Sequence, residues 1–496
     1  MGVIRRQSFK YTVVNFVGLG IGAASTLFVY PHALEAYGLV QLLLWFGVVG
    51  LPVLSLGGNT LAIRFFPQFD NKGNGHNGLL PLLLTLCMIG WLVAVIIAAF
   101  ARDSLVQVLQ DRSPMLRDYL WMAAPMSLFY VMSVVMGQYS ANFKRIVVPS
   151  LLIDFSQKIA LPILLFSLWQ GWISLNAMVW LLLLYSALVP AGMAFYLRSI
   201  GQWFWQPNKA FLTPERRREI GRFMVFGSLG GFSLLIAYKA DLLFVGSLST
   251  LKSTGVYAIA AFIGSAIDIP TKSLYSASVS SVAQYLAEDK HDELDNLYKK
   301  VSINLLTVGL LLFGSVWISV DSFYALLPNG QELVEGKYVL LIIGLSRLVE
   351  MTSSLNNYLI YYSRYYTWSL LSLCVLAVAN IGFNLWLIPR WGITGAAMAT
   401  LLSIFCNNAV NLALVWLKFR LQPFSRLTLR AIGLASAAFV TASLIPISGR
   451  PWFDLIVRSG IYFAVLCALV YRFRVAPDLA DLGDLVLEKI GVKKKK

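Results

Sequence analysis

Apolar residues in this chain run in long blocks, without the strict alternation of a half-buried strand or the one-sided stripe of a surface helix. From residue 11 to residue 471, stretches of about 20 residues with few or no charges recur. At ~1.5 Å rise per residue, one such stretch crosses the ~30 Å hydrocarbon core of a bilayer as a helix. Lipid offers the backbone no hydrogen bonds, so only helices and closed barrels can span it. Barrel strands are shorter and alternate in polarity. The pattern therefore predicts an all-α polytopic membrane protein with about fourteen transmembrane helices. Six are expected at 11–33, 39–62, 79–101, 119–140, 147–168 and 173–197. Six more are expected at 223–247, 255–283, 301–325, 338–362, 368–388 and 393–417, and a final two at 428–447 and 455–471.

The two blocks of six resemble each other. Each opens on a glycine-rich helix (Gly18, Gly20, Gly22; Gly227, Gly230, Gly231). Each then reaches a glycine with an aromatic, Tyr37-Gly38 and Gly255-Val256-Tyr257, and closes on a tight hairpin, at Gln170-Gly171-Trp172 and Arg390-Trp391-Gly392. An even number of crossings makes both copies enter from the same side. The expectation is two six-helix lobes, 1–212 and 213–425, related by a pseudo-twofold axis along the membrane normal with a cavity between them. Residues 426–496 would add two helices and a basic tail.

Composition agrees with a lipid solvent: 58% of the 496 residues are hydrophobic and 13% charged, with a mean hydropathy of +0.70. A soluble chain carries roughly twice that share of charge. The net charge of +16 would suggest nucleic acid in a soluble protein; here it reads as basic cytoplasmic loops, with no nucleic acid implied. With the N-terminus inside, about 28 of the 40 Lys and Arg fall on the cytoplasmic side and about 8 outside. Both termini are therefore expected in the cytoplasm. Arg5, Arg6 and Lys10 precede an apolar run without a small-residue cleavage motif, so this run is read as an uncleaved first helix.

Charges inside spans change the picture most, because one at the bilayer centre costs about 2.5–3.5 kcal/mol on insertion scales unless it finds a partner or water. Asp154 and Lys158 stand at i,i+4, as do Asp268 and Lys272; Arg347 and Glu350 stand at i,i+3. Those spacings let side chains meet and neutralise each other. Lys239 and Asp241, at i,i+2, point apart. Arg64 lies at an inner helix end, where snorkelling is the ordinary explanation. Cations facing a cavity of low dielectric would bind an anionic headgroup such as a pyrophosphate, and Lys239, Lys272 and Arg347 are the leading candidates. Asn380, Asn384, Asn407, Asn408 and Asn411 could bond sugar hydroxyls, although hydrogen bonding between helices is the ordinary explanation for most of them.

Other chemistry is missing. There is no phosphate-binding Gly-x-x-x-x-Gly-Lys-Ser/Thr loop, and the four cysteines and three histidines have no metal-ligand spacing, so no cofactor or metal is expected. The longest outer loops, near 102–118 and 322–337, are small for a glycan polymerase or ligase. Amphipathic stretches at 285–300 and 478–490 predict helices at the membrane surface.

Several segments carry a resemblance. Ile388-Pro389-Arg390-Trp391-Gly392-Ile393-Thr394-Gly395-Ala396-Ala397-Met398-Ala399-Thr400 resembles a helix junction of the polysaccharide flippases in the MOP (multidrug/oligosaccharidyl-lipid/polysaccharide) exporter superfamily. Asp241-Leu242-Leu243-Phe244-Val245-Gly246 with Gly255-Val256-Tyr257 is similar to another. The opening Gly2-Val3-Ile4-Arg5-Arg6-Gln7-Ser8 and Arg64-Phe65-Phe66-Pro67 resemble the start of the oligosaccharide-flippase branch. The resemblance covers about residues 1–420. It implies a two-lobe flippase that carries an undecaprenyl-diphosphate-linked oligosaccharide across a bacterial inner membrane, with cavity cations for the diphosphate. It also implies membrane lipids, glycan-assembly enzymes and a coupling ion (Na+ or H+) as partners. Two alternatives stand beside it: a cation-coupled multidrug antiporter of the same fold, and a membrane-embedded glycan polymerase or ligase.

Overall fold

A computed structural model describes residues 2–100, 114–208, 210–271, 278, 281–282, 284–286, 288–353 and 355–489. Lys272, most of the 102–118 loop and the terminal lysines 493–496 lie outside the described residues. All regular structure among the described residues is helical, and the described parts of the expected segments are mostly helix.

The chain divides into two compact units, Met1–Ala258 and Ile259–Lys496. In the first, α1 (Gly2–Phe28), α2 (Leu34–Leu54), α3 (Gly58–Arg64), α4 (Leu79–Phe100), α5 (Ala123–Ala141), α6 (Val147–Trp169), α7 (Leu175–Ser199) and α8 (Pro214–Leu248) follow in order. Helix α2 packs on both α5 and α8, and α7 packs on α5. The 39–62 segment is not one rod. Pro52 cannot donate to the helix ladder, and Leu56 and Gly57 take positive φ values of 49° and 73°, so the chain turns at Ser55–Gly57 before α3 resumes. Buried Leu61, Phe65, Leu79, Leu83, Val131, Val135 and Tyr139 form the core at this end.

Helix α9 (Leu251–Ala266) begins in the first unit and ends in the second. Its start crosses the start of α2 so closely that backbone touches backbone. A Cβ on Gly38 would lie under 3.0 Å from the Leu251 carbonyl oxygen, and one on Gly255 equally close to that of Leu34. Each glycine stands four residues after the carbonyl that meets the other, so the crossing is the same read from either helix. This accounts physically for the glycine in each of the two similar motifs.

In the second unit, α10 (His291–Trp317) packs on α11 (Lys337–Thr352), which packs in turn on α12 (Tyr366–Phe419). Helix α12 holds two expected spans. The chain reverses at Gly392 (φ 54°, ψ −135°), as the Arg390-Trp391-Gly392 hairpin predicts, and both segments on either side are helical. Helices α13 (Arg426–Ser443) and α14 (Pro451–Phe473) pair with each other and with α10. Ala435, Ala438 and Ala442 let α13 approach the buried Tyr462, Leu466 and Val470 of α14. The Tyr462 ring covers Gly314 of α10, and its hydroxyl donates to the Leu310 carbonyl at 2.8 Å.

Both amphipathic stretches contain helix, as expected. Residues 291–300 are the first turns of α10, and residues 284–286, before the turn at 288–289, are helical as well. The helix α15 (Pro477–Lys489) is clipped to its neighbours: Asp478 accepts from Lys300 and Asn304 at 2.7 Å each, and Asp484 accepts from Tyr471 at 2.5 Å.

Ten helices among the described residues are long and apolar enough to cross a membrane. Their outer faces are apolar as well. Leu92, Ile96, Ile97 and Phe100 of α4 and Leu184, Leu188 and Phe195 of α7 are exposed, as expected where lipid is the solvent. The protein is a multi-pass membrane protein.

Candidate functional site

The expected site residues fall into two groups by unit. In the first unit, Asp154 lies within a π-helical turn, Leu151–Phe155, at the start of α6. Such a turn holds an extra residue, so Asp154 rotates off the stripe that i,i+4 spacing in an α-helix would share with Lys158. The two feel each other's charge, but no ion pair forms. The Ser150 hydroxyl reaches Asp154 at 3.5 Å, and the Tyr130 and Tyr185 hydroxyls are in electrostatic range. Ser156 and Tyr185 share a 2.8 Å hydrogen bond beside it. The Lys158 side chain runs against α1, where Gly18 and Gly22 leave room for its methylenes. Pro162, four residues later, leaves the Lys158 carbonyl without its helical donor.

Lys239 and Asp241 point apart, as their spacing requires. Asp241 accepts from the Tyr257 hydroxyl and from the Leu242 N–H at 3.0 Å. The Lys239 side chain is exposed, and only its backbone carbonyl is anchored, by the Trp45 indole N–H at 2.5 Å. Among the described residues neither Lys158 nor Lys239 makes an ion pair. Arg64 ends α3 exposed, with its guanidinium 4.7 Å from the centre of the Phe223 ring.

In the second unit, Arg347 and Glu350 close on each other at 2.7 Å, with Ser265 3.5 Å from the guanidinium. Their charges largely cancel. Asp268 follows α9, its carbonyl accepting from the Thr271 N–H at 3.0 Å. The asparagines bond between and within helices: Asn411 donates to Asn357 at 2.9 Å, Ser353 to Asn408 at 2.7 Å, and Asn384 to the Asn380 carbonyl at 2.8 Å.

Sequence reasoning missed three features. The buried His76 is held by Asp70 at 3.1 Å and Gln202 at 2.9 Å, joining the α3–α4 loop to the end of α7; a histidine in a glycine-rich loop carries no pattern that announces this. The π-helical turn is invisible to periodicity. So is a cavity of about 440 Å³ where Tyr285, His291, Tyr362, Arg364, Lys418 and Phe419 come together in the second unit. Next to it, hydrogen bonds from Lys290 and Gln284 hold the Glu288 carboxyl below the usual range.

No protein-family model matches the chain, and no curated protein sequence matches it. Solved structures do. The lipid II flippase MurJ, in an inward-closed conformation, superposes with a TM-score of 0.72 over 94% of this chain and 99% of its own, at 11% identity. This is the fold of the MOP-superfamily transporters. An inward-facing multidrug-resistance MATE transporter shares it at TM-score 0.53 and 15% identity, covering 81% of this chain and 94% of that one. So does a MOP transporter from Pyrococcus furiosus, at TM-score 0.54 and 13% identity, covering 84% of this chain and 95% of that one. The MOP fold agrees with the resemblance read from the 241–257 and 388–400 junctions.

Proposed function

We propose that this chain is a flippase moving an undecaprenyl-diphosphate-linked oligosaccharide, an O-antigen, capsule or exopolysaccharide unit, from the cytoplasmic to the periplasmic leaflet of a bacterial inner membrane. It works by alternating access, with both termini in the cytoplasm. The observation that carries this reading is the pair of intramembrane ammonium groups, Lys158 and Lys239, that make no ion pair among the described residues. A membrane helix keeps an unneutralised cation only where something offsets its desolvation, and an anionic substrate does so. A diphosphate presents several charged oxygens to such groups. The charge of Arg347 is taken up by Glu350, which gives it a supporting role. Lys272 remains a candidate on its sequence position. A coupling ion, H+ or Na+, would suit Asp154, whose carboxylate has hydroxyls around it and no paired cation.

Reconstituted protein should move a fluorescent undecaprenyl-diphosphate oligosaccharide between leaflets, and Lys158→Gln with Lys239→Gln should reduce the rate at least tenfold with insertion intact. Unchanged flipping in that variant would overturn the assignment of these cations. Normal surface glycan in a strain lacking the gene and any second flippase, together with altered drug sensitivity, would replace the saccharide reading with the drug-antiporter one.

A further inference from the structure

We infer that the cavity in the second unit is a binding site for an anionic phosphate group, separate from the transport residues and independent of the function proposed above. The cavity holds about 440 Å³, within the range of small-ligand sites. Three stretches of chain meet there: 285–294 ahead of and into α10, the turn 362–365 that precedes α12, and the last turn of α12 at Lys418-Phe419.

Its charge is cationic. Arg364 and Lys418 both lie against one ring, that of Tyr365, at 5.0 Å and 5.3 Å from its centre. Neither makes an ion pair among the described residues. Lys290 nearby is already bound to Glu288 at 2.6 Å and contributes no free charge. One carboxylate, Asp289, and the imidazole of His291 line the same cavity. Two fixed positive charges against one negative leave a surplus that favours an anion. Tyr285 and Tyr362 add hydroxyl groups that can donate to its oxygens.

The surroundings indicate what kind of anion. Trp416 and Leu417, just before Lys418, are 51% and 59% exposed, and Tyr361 and Trp368 flank the 362–365 turn, also exposed. Exposed tryptophan and tyrosine beside basic residues at the ends of apolar helices mark the headgroup level of a bilayer. The abundant anion at that depth is the lipid phosphate, and basic pockets between membrane helices hold such headgroups. Aqueous phosphate offers the same chemistry, so the test separates the two sources.

Purified full-length protein would be titrated in mixed micelles with phosphatidylglycerol, with phosphatidylcholine, and with inorganic phosphate in phosphatidylcholine. Thermal stability would be followed, and retained lipid counted by native mass spectrometry. Phosphatidylglycerol should bind the wild type, and Arg364→Ala with Lys418→Ala should weaken it about thirtyfold, equivalent to about 2 kcal/mol. Arg430→Ala, which removes an exposed charge elsewhere, should leave the affinity unchanged. Arg364→Lys with Lys418→Arg keeps the charges and should bind within a few-fold of wild type. If that swap folds yet binds as poorly as the double alanine, the charges are not what holds the ligand and the proposal fails. It fails also if the double alanine binds both probes as tightly as wild type. Binding of inorganic phosphate, but not phosphatidylglycerol, that is lost in the double alanine would support the anion site and assign its source to the aqueous phase.

Discussion

Replacing Gly255 by alanine tests the crossing of α2 and α9 most directly. The added methyl would stand less than 3.0 Å from the Leu34 carbonyl oxygen and 3.1 Å from its carbon. Both atoms are backbone within a helix start, so neither can swing aside as a side chain would. The helices must part by several tenths of an ångström, loosening the contacts of Tyr257 and Val256, both almost fully buried. Overpacking of this kind costs about 1–3 kcal/mol. Gly38→Ala meets the Leu251 carbonyl in the same way and should cost a similar amount. A single separation of the two helices relieves both clashes, so the double variant should lose distinctly less than the two single losses combined. Equilibrium unfolding in mixed micelles, followed by tryptophan fluorescence, measures all three. A loss under about 0.5 kcal/mol for either single variant, the size of an ordinary surface change, would refute the close approach. Strictly additive losses would refute the idea that both glycines serve one crossing.

Other outcomes follow from single contacts. Gly314→Ala should push the Tyr462 ring aside and cost about 1–3 kcal/mol, and Tyr462→Leu should abolish most of that penalty in the same unfolding assay. Gly392→Ala places a side chain at φ 54°, ψ −135° and should cost about 1–3 kcal/mol, which thermal unfolding in detergent would register. His76→Leu leaves the half-buried Gln202 side chain without its partner, while the exposed Asp70 turns to water, and should cost about 1–3 kcal/mol, most visibly as faster proteolysis of the 65–78 loop.

The helical class was legible because lipid reduces the choice of backbone to very few forms, and block length alone selects among them. Glycine close approaches were legible as a signature but not as a mechanism: the sequence shows Tyr37-Gly38 and Gly255-Val256-Tyr257 as repeats, while only coordinates show that one meets the other. Charge pairing was half legible. The i,i+3 spacing of Arg347 and Glu350 leads to contact, whereas the i,i+4 spacing of Asp154 and Lys158 does not, because spacing rules assume an uninterrupted α-helix and the π-helical turn breaks that assumption. His76 and the cavity at Arg364 and Lys418 depend on contacts between distant segments, 126 residues apart for His76 and Gln202. No local pattern encodes such contacts.

The extra residue in the Leu151–Phe155 turn has a geometric consequence for the whole of α6. One peptide unit stored there is slack: if the turn tightened to α, the strip from Val147 to Asp154 would screw round by about a quarter of a revolution while Lys158 and everything after it stood still. Asp154 would swing towards the lysine, and the ammonium would trade an open flank for a counter-ion. A single local rewinding would thus switch one positive charge on this helix between available and quenched, without any rigid body having to move.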